Sequence, residues 1–403
     1  MKKIAIYTLT SPLHDEQAVS AVTEEFLSSL NIEFDFCGNN YADYGSRLLD
    51  LIYVRTGGTE GLFLKLLPML REKSDRPVTL LTSGKSNSLA ASMEILSYLR
   101  QQGIKGEIIH GSSQYVNARI GMLEKVSEAR LKLKGSRLGV IGKPSDWLIS
   151  SQADSQRVLD KWGVELVDIP MESLLEAYAS VPPTADEELQ KKALTEAVRQ
   201  SLTDANRIFL ALKTIVEQHQ LQGLTIRCFD LLTAIHNTGC IALARLNSEG
   251  VVAGCEGDVP AALSMMLVNA LLGVSGFQAN PAYVDVSAGE LLFAHCTIPF
   301  NMVERFELDT HFESGIGVGV RGYMQEGPVT IFKVSGDLGR SFIAEGSLIR
   351  NQAKPDLCRT QQVIRLSEPH LAEYFLTNPI GNHHIIVPGH WGELLKKGFE
   401  IGD

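Results

Sequence analysis

Through its first 276 residues this chain alternates short apolar runs with stretches of helical period, and after Asn280-Pro281 that rhythm stops. Residues 4–7, 51–54, 78–81 and 106–110 read as strands. Amphipathic helices over 16–30 and 62–71, and a long one running to Arg100, fall between them. Strands that alternate with helices imply a parallel sheet joined by helical crossovers. The pattern restarts at 132–142, where a polar linker opens into an apolar strand. A helix over 152–162, a strand over 164–169, long helices within 181–221 and a strand from Gly223 follow. Beyond Pro281 the helical periods fade into short alternating runs at 282–286, 291–296, 316–320, 329–334 and 342–349, punctuated by Gly and Pro, which is the texture of an antiparallel β-rich, barrel-like domain. The expected organisation is α/β: an N-terminal α/β domain over 1–134, a second α/β domain over 135–276, and a β-rich domain over 277–403.

Bulk properties narrow the function classes. The net charge is −10, and no basic block interleaved with aromatic residues appears, which argues against a nucleic-acid partner. No run of about 18 uncharged apolar residues is present, so no membrane span is expected. The opening Met-Lys-Lys-Ile-Ala-Ile-Tyr, followed by Ser11-Pro12, reads as a first strand rather than a signal peptide. Six scattered cysteines (37, 228, 240, 255, 296 and 358) form no C-x-x-C pair, which fits reduced, mostly buried thiols in a cytoplasmic protein.

The run Cys255-Glu256-Gly257-Asp258 sets two carboxylates between the apolar strand 250–254 and a long apolar helix over 261–272. Open α/β sheets place their ligand crevice at that end of their strands, and a helix N-terminus favours negative charge. The plainer alternative is that Asp258 caps the helix and Glu256 is solvated. Other candidates for metal chemistry are Asp285 inside the β-branched run 283–287, His295 at the end of the run 291–294, and His383-His384 with His390 beyond. Singly, each has an ordinary structural explanation. Together they offer oxygen and imidazole donors suited to Mn²⁺, Mg²⁺ or Fe²⁺ rather than a thiolate-rich structural Zn²⁺ site. Other motifs carry less. Gly315-Ile-Gly-Val-Gly319 lacks the helix start of a dinucleotide fingerprint and reads as a Gly-rich strand or bulge. Gly57-Gly58-Thr59-Glu60 is a connecting turn, and Ser83-Gly84-Lys85-Ser86 lacks the first glycine of a P-loop. Cys255 beside an acidic neighbour is a poor thiolate nucleophile.

Four ordered segments resemble the metal-dependent L-fucose isomerase / L-arabinose isomerase family: Glu256-Gly257-Asp258, Val284-Asp285-Val286, Phe342-Ile343-Ala344-Glu345-Gly346, and Ile380-Gly381-Asn382-His383 with Gly389-His390. The resemblance spans 256–390 and implies two Rossmann-like α/β domains followed by a barrel-like one, in agreement with the reading from the residues. It implies Glu256, Asp285 and His383 as metal ligands, with His295 matching a further histidine of the L-arabinose isomerases. It also implies a divalent cation, foremost Mn²⁺, an unphosphorylated pentose or deoxyhexose as substrate, and a homo-oligomer (trimer or hexamer). The chain departs from the family in being much shorter than an L-fucose isomerase, and its Glu256-to-Asp285 spacing is about five residues longer, around Gly276 to Pro281.

The chemistry so implied is aldose–ketose isomerisation through an ene-diolate, with the cation as Lewis acid and Glu256 and Asp285 as the acid–base pair. His384 and His390 are expected to orient the ligands. The competing readings are a metal-dependent aldol-type sugar lyase and a non-catalytic sugar-binding protein.

Overall fold

A computed structural model describes residues 2–401, which divide into two compact units, 2–128 and 129–401. The first unit holds β1 (Ile4–Leu9), β2 (Phe34–Gly38), β3 (Leu49–Val54), β4 (Val78–Leu81) and β5 (Gly106–Ile109). They form one parallel sheet in the order β2-β1-β3-β4-β5. All six residues of β1 and of β3 are buried, as expected of central strands covered on both faces. Two separate apolar clusters do the covering. Phe63, Leu67, Ile95 and Leu99 pack on one face, and Leu27, Val116, Ile120 and Leu123 on the other.

The second unit opens with another parallel sheet: β6 (Arg137–Ile141), β7 (Glu165–Ile169), β8 (Gly223–Ile226) and β9 (Val252–Gly254), in the order β7-β6-β8-β9. Helix Val259–Leu272 follows. It is apolar on every side and almost wholly buried, with Asp258 at its N-cap, a proline in its first turn and Gly273 closing it in the left-handed conformation. These signals give it sharp ends.

The remaining strands are β10 (Phe277–Asp285), β11 (Glu290–His295), β12 (Arg305–Asp309), β13 (Gly319–Tyr323), β14 (Gly327–Val334), β15 (Ser341–Gln352), β16 (Thr360–Leu366) and β17 (His384–Pro388). Six of them close an antiparallel barrel in the order β10-β11-β16-β15-β14-β17, while β12 and β13 pair separately. The anticipated fold class, parallel-sheet α/β layers followed by a β-barrel, is the observed one. One apolar cluster joins barrel residues (Phe277, Phe293, Ile331, Ile364 and Ile386) to Val198, Leu202 and Ala205 of helix Glu196–His219. The run Gly315–Gly319 is a loop entering β13, with Gly315 and Gly317 at positive φ, and not the opening of a nucleotide-binding helix. Among the described residues no helix is long and apolar enough to cross a membrane.

Candidate metal centre

The turn after β9 is strained in a specific way. Glu256 and Gly257 take successive left-handed conformations (φ 63° and 70°), which is uncommon for a glutamate. At Gly257 any Cβ would lie 2.6 Å from the carbonyl oxygen of Lys143 and 2.7 Å from the Cα of Pro144. Backbone bonds hold the conformation: Gly257 N–H donates to the Ile226 carbonyl (2.8 Å) and Ser145 N–H to the Glu256 carbonyl (2.9 Å). The result turns the Glu256 side chain inward, only 8% exposed.

Barrel strands supply the facing groups. β10 lies between β17 and β11, so His383 (immediately before β17), Asn280 (on β10) and His295 (ending β11) come from three adjacent strand positions. Glu256 Oε1 lies 3.5 Å from His383 Nε2 and 3.8 Å from His295 Nε2. One donor atom from each of the three residues falls within 4.8 Å of the others. A single ion at about 2.0–2.2 Å from N and O ligands reaches all three with little adjustment. Two observations show that the residues fit a cation. His383 Nε2 is buried without a hydrogen-bond partner, and Asn280 Oδ1, lining the same cavity, is also buried and unpartnered. A buried imidazole nitrogen and an amide oxygen are costly to leave unsatisfied unless a cation, or for the imidazole a proton, takes their lone pairs.

Asp258 combines the two roles that its sequence position leaves open. Its Oδ1 accepts the Ala261 N–H at 2.8 Å, capping the helix, and its Oδ2 accepts from His383 Nδ1 at 2.8 Å. This fixes the His383 tautomer with Nε2 facing Glu256, the arrangement by which carboxylates orient metal-binding histidines. Lys333 of β14, 1% exposed, stands 3.4 Å from Asp258 Oδ1 and balances its charge in the interior. On the other side His295 Nδ1 meets Thr297 Oγ1 at 3.0 Å. Trp147 donates its indole N–H to Glu256 Oε2 at 2.6 Å while 51% exposed, edge-on to Phe229.

The electrostatics follow. Burial opposes the charge on Glu256, but the His295 and His383 imidazoles outweigh it and hold the carboxyl well below the usual range. Burial opposes protonation of His383, yet Asp258 and Glu256 push it up to about 9. Without a cation, therefore, His383 carries the positive charge that the two carboxylates demand. Burial holds His295 low.

The structure brings together Glu256, His295 and His383 and leaves Asp285 apart. Asp285 ends β10 at the far side of the hairpin, where Oδ1 accepts from Ala288 N–H (3.0 Å) and Ser287 Oγ (2.6 Å). The position on β10 that enters the site is Asn280, five residues earlier. The five-residue excess in spacing, noted around Gly276 to Pro281, was the available signal for it, because removing that excess lands on residue 280. His384 and His390 do not orient the ligands either. His384 bonds Tyr374 Oη (3.1 Å) and the Asn382 carbonyl (3.0 Å), and burial holds it down to about 3. His390 bonds the Gly346 carbonyl.

The cavity beside Glu256 encloses about 30 Å³, room for an ion or a water. It is lined by Asn280, His295, His311, Glu313 and five of the six cysteines (228, 240, 255, 296 and 358). Cys228 and Cys255 lie Sγ to Sγ at 3.1 Å, and all six thiols are free. The hydrogen bond from Cys228, together with burial, pushes the Cys255 thiol up, away from nucleophilic use. A larger concavity, of about 1030 Å³, lies within the first unit around Thr10, Ser11 and Tyr41. Its Arg55 is taken up by Glu16 at 2.9 Å.

Comparison with known proteins gives a consistent class. No family model matches the chain. Among curated proteins it is similar to the sulfoquinovose isomerase of Alkalicoccus urumqiensis, 25% identical over 265 residues, covering 62% of this chain and 59% of that protein. It is also similar to the sulfoquinovose isomerases of Clostridium sp. (strain MSTE9), 25% over 215 residues and 52% and 47% of the two chains, and of Priestia aryabhattai, 21% over 262 residues and 62% and 59%. The chain thus spans between about half and three-fifths of the length of these relatives.

Proposed function

We propose that this protein is a cation-dependent aldose–ketose isomerase acting on an unphosphorylated monosaccharide. The observation that carries the reading is the convergence of Glu256, His295 and His383 within 4.8 Å, with the Nε2 of His383 left unpartnered. Similarity to sugar isomerases supports it independently. Asn280 joins the three as a fourth, oxygen donor. An oxygen and imidazole donor set without thiolate suits Mn²⁺. When bound, the cation acts as a Lewis acid that stabilises the negative charge of an ene-diolate.

The chain's own residues do the rest. Asp258 holds the His383 ring in place, and Thr297 holds His295. Trp147 fixes one Glu256 oxygen so that the other faces the cation. The exposed indole of Trp147, with Phe229 against it, offers a flat apolar surface at the rim for a sugar face. The substrate we infer is a neutral pentose or deoxyhexose; the cavity itself, about 30 Å³ and without lysine or arginine in its lining among the described residues, has room for the cation alone. A sulfonated hexose, the substrate type in the relatives' names, would need its anion met outside that lining. A cytoplasmic homo-oligomer is the setting we infer for the protein.

The test is a panel of sulfoquinovose, L-fucose and L-arabinose with Mn²⁺ against an EDTA-treated control, read as ketose formed. Cation-dependent isomerisation of one member is expected, with conservation of carbon number. No ketose from any member, or cleavage into smaller fragments, sinks the reading.

A further inference from the structure

We propose that Glu313 is a catalytic residue, the carboxylate that carries the proton between C2 and C1, presented to the sugar from the loop 310–317. The inference rests on the isomerase reading above. Moving a carbonyl from C1 to C2 requires a group that takes the C2 proton and returns it to C1. The groups around the cation ligands are already committed. Glu256 turns Oε1 toward both histidines, and its Oε2 accepts from Trp147. Asp258 spends both oxygens on Ala261, His383 and Lys333. Asn280 occupies the β10 position, and an amide cannot carry a proton between carbons. Asp285 caps a turn at the far end of the strand. His311 is tied through Nδ1 to Ser314 Oγ at 3.0 Å and packs edge-on to Phe229. Neighbouring thiols and burial push Cys255 and Cys358 up, and burial does the same for Cys240, while the Cys296 Sγ is taken up by Cys358 and by the Arg359 N–H at 3.4 Å.

Of the two carboxylates lining the cavity, Glu256 and Glu313, the second is the one left uncommitted. It is solvent-accessible, and no hydrogen bond or ion pair to another described residue holds its carboxylate. Burial of the carboxylate, reinforced by the Glu256 charge, raises its affinity for a proton. That is the direction a group alternating between acid and base needs near neutral pH. The loop is anchored rather than loose. Gly317, at φ 63°, packs on Thr238, whose hydroxyl accepts from Val318 N–H (3.0 Å) and donates to the Val318 carbonyl (2.8 Å). Gly315 N–H closes the turn onto the His311 carbonyl at 2.9 Å.

The step balances without a co-reactant. In the open-chain aldose Glu313 removes the proton from C2 as the C1–C2 double bond forms and O1 gains a proton from water. The same carboxyl then gives its proton to C1 as O2 loses one to water and the C2 carbonyl forms.

The experiment uses the full chain with Mn²⁺ and whichever sugar of the panel is turned over. Glu313→Gln is expected to lower kcat by about 10²–10⁴-fold, the usual worth of general acid–base catalysis. Its Mn²⁺ affinity should stay as in the wild type, and label exchange from deuterated water into the sugar should be lost. Glu313→Asp should recover part of the rate and the exchange. If Glu313→Gln keeps a rate within a few-fold of wild type with exchange intact, or if Glu313→Asp is as dead as Gln with KM raised in both, the assignment is overturned. A wild-type chain inactive on the whole panel overturns the isomerase reading itself, whatever Glu313 does.

Discussion

Asp258 bears three loads at once: a helix cap, a histidine orienter and the counter-charge of a buried lysine. Asp258→Asn keeps an oxygen for the cap but removes the charge. It should weaken Mn²⁺ binding by about 10–100-fold, as loss of a ligand's orienting partner generally does, checked by calorimetric titration. It also strands Lys333, and an unpaired buried charge costs about 3–5 kcal/mol. The double variant Asp258→Asn/Lys333→Met should therefore recover much of the lost melting temperature without recovering the cation. If stability and affinity return together, the two roles are not separable. Glu256→Gln should abolish turnover, measured as ketose formed, while leaving the circular dichroism spectrum unchanged. At this scale most of the candidate centre was nameable from the sequence. Glu256, His295 and His383 are acids and imidazoles at strand ends, and such residues advertise themselves. Asn280 does not, because an amide carries no charge and its role shows only as an unsatisfied buried oxygen.

At the scale of elements, the strained turn after β9 does the positioning. Gly257→Ala puts a methyl against the Lys143 carbonyl in a conformation that alanine avoids, and should destabilise the protein by more than about 1 kcal/mol, seen as a lower midpoint in urea, together with loss of Mn²⁺ binding. On β10 the pair of substitutions Asn280→Ala and Asp285→Asn separates the two strand positions. The first should weaken the cation measurably; the second should leave ketose formation unchanged and loosen only a hairpin turn. The reverse outcome would return the ligand to residue 285. The strands and helices themselves were legible because buried parallel strands such as 51–54 and 78–81 are nearly continuous apolar runs. The edge strand β2 escaped that reading. Its Phe-Asp-Phe-Cys-Gly is half-exposed, and an edge pairs on one side only. The position on β10 escaped as well: the five-residue excess pointed to residue 280, but Asp285 offered a charge and Asn280 did not.

For the molecule as a whole, cation binding and protonation are linked. His383 is raised to about 9 without a cation, and its Nε2 must lose that proton to become a ligand. Between pH 6 and 9, then, Mn²⁺ affinity should climb about tenfold per pH unit, one proton being released per ion bound, and level off above pH 9. Proton release in weakly buffered titrations checks it, and a flat profile would contradict the assignment of His383. Because the donors all belong to the 129–401 unit, saturating Mn²⁺ should raise the unfolding temperature of that unit alone. A cation at 100 times its dissociation constant adds about 2.7 kcal/mol, and scanning calorimetry with and without EDTA resolves which transition moves. The barrel that carries three of the four donors is a closed hoop, with every strand hydrogen-bonded on both sides. A hoop cannot be unzipped sideways, so in the proposed isomerase sugar and ion would come and go over the rim, past the anchored loop 310–317. The doorway, and not the wall, is where the proposed isomerase would select among sugars.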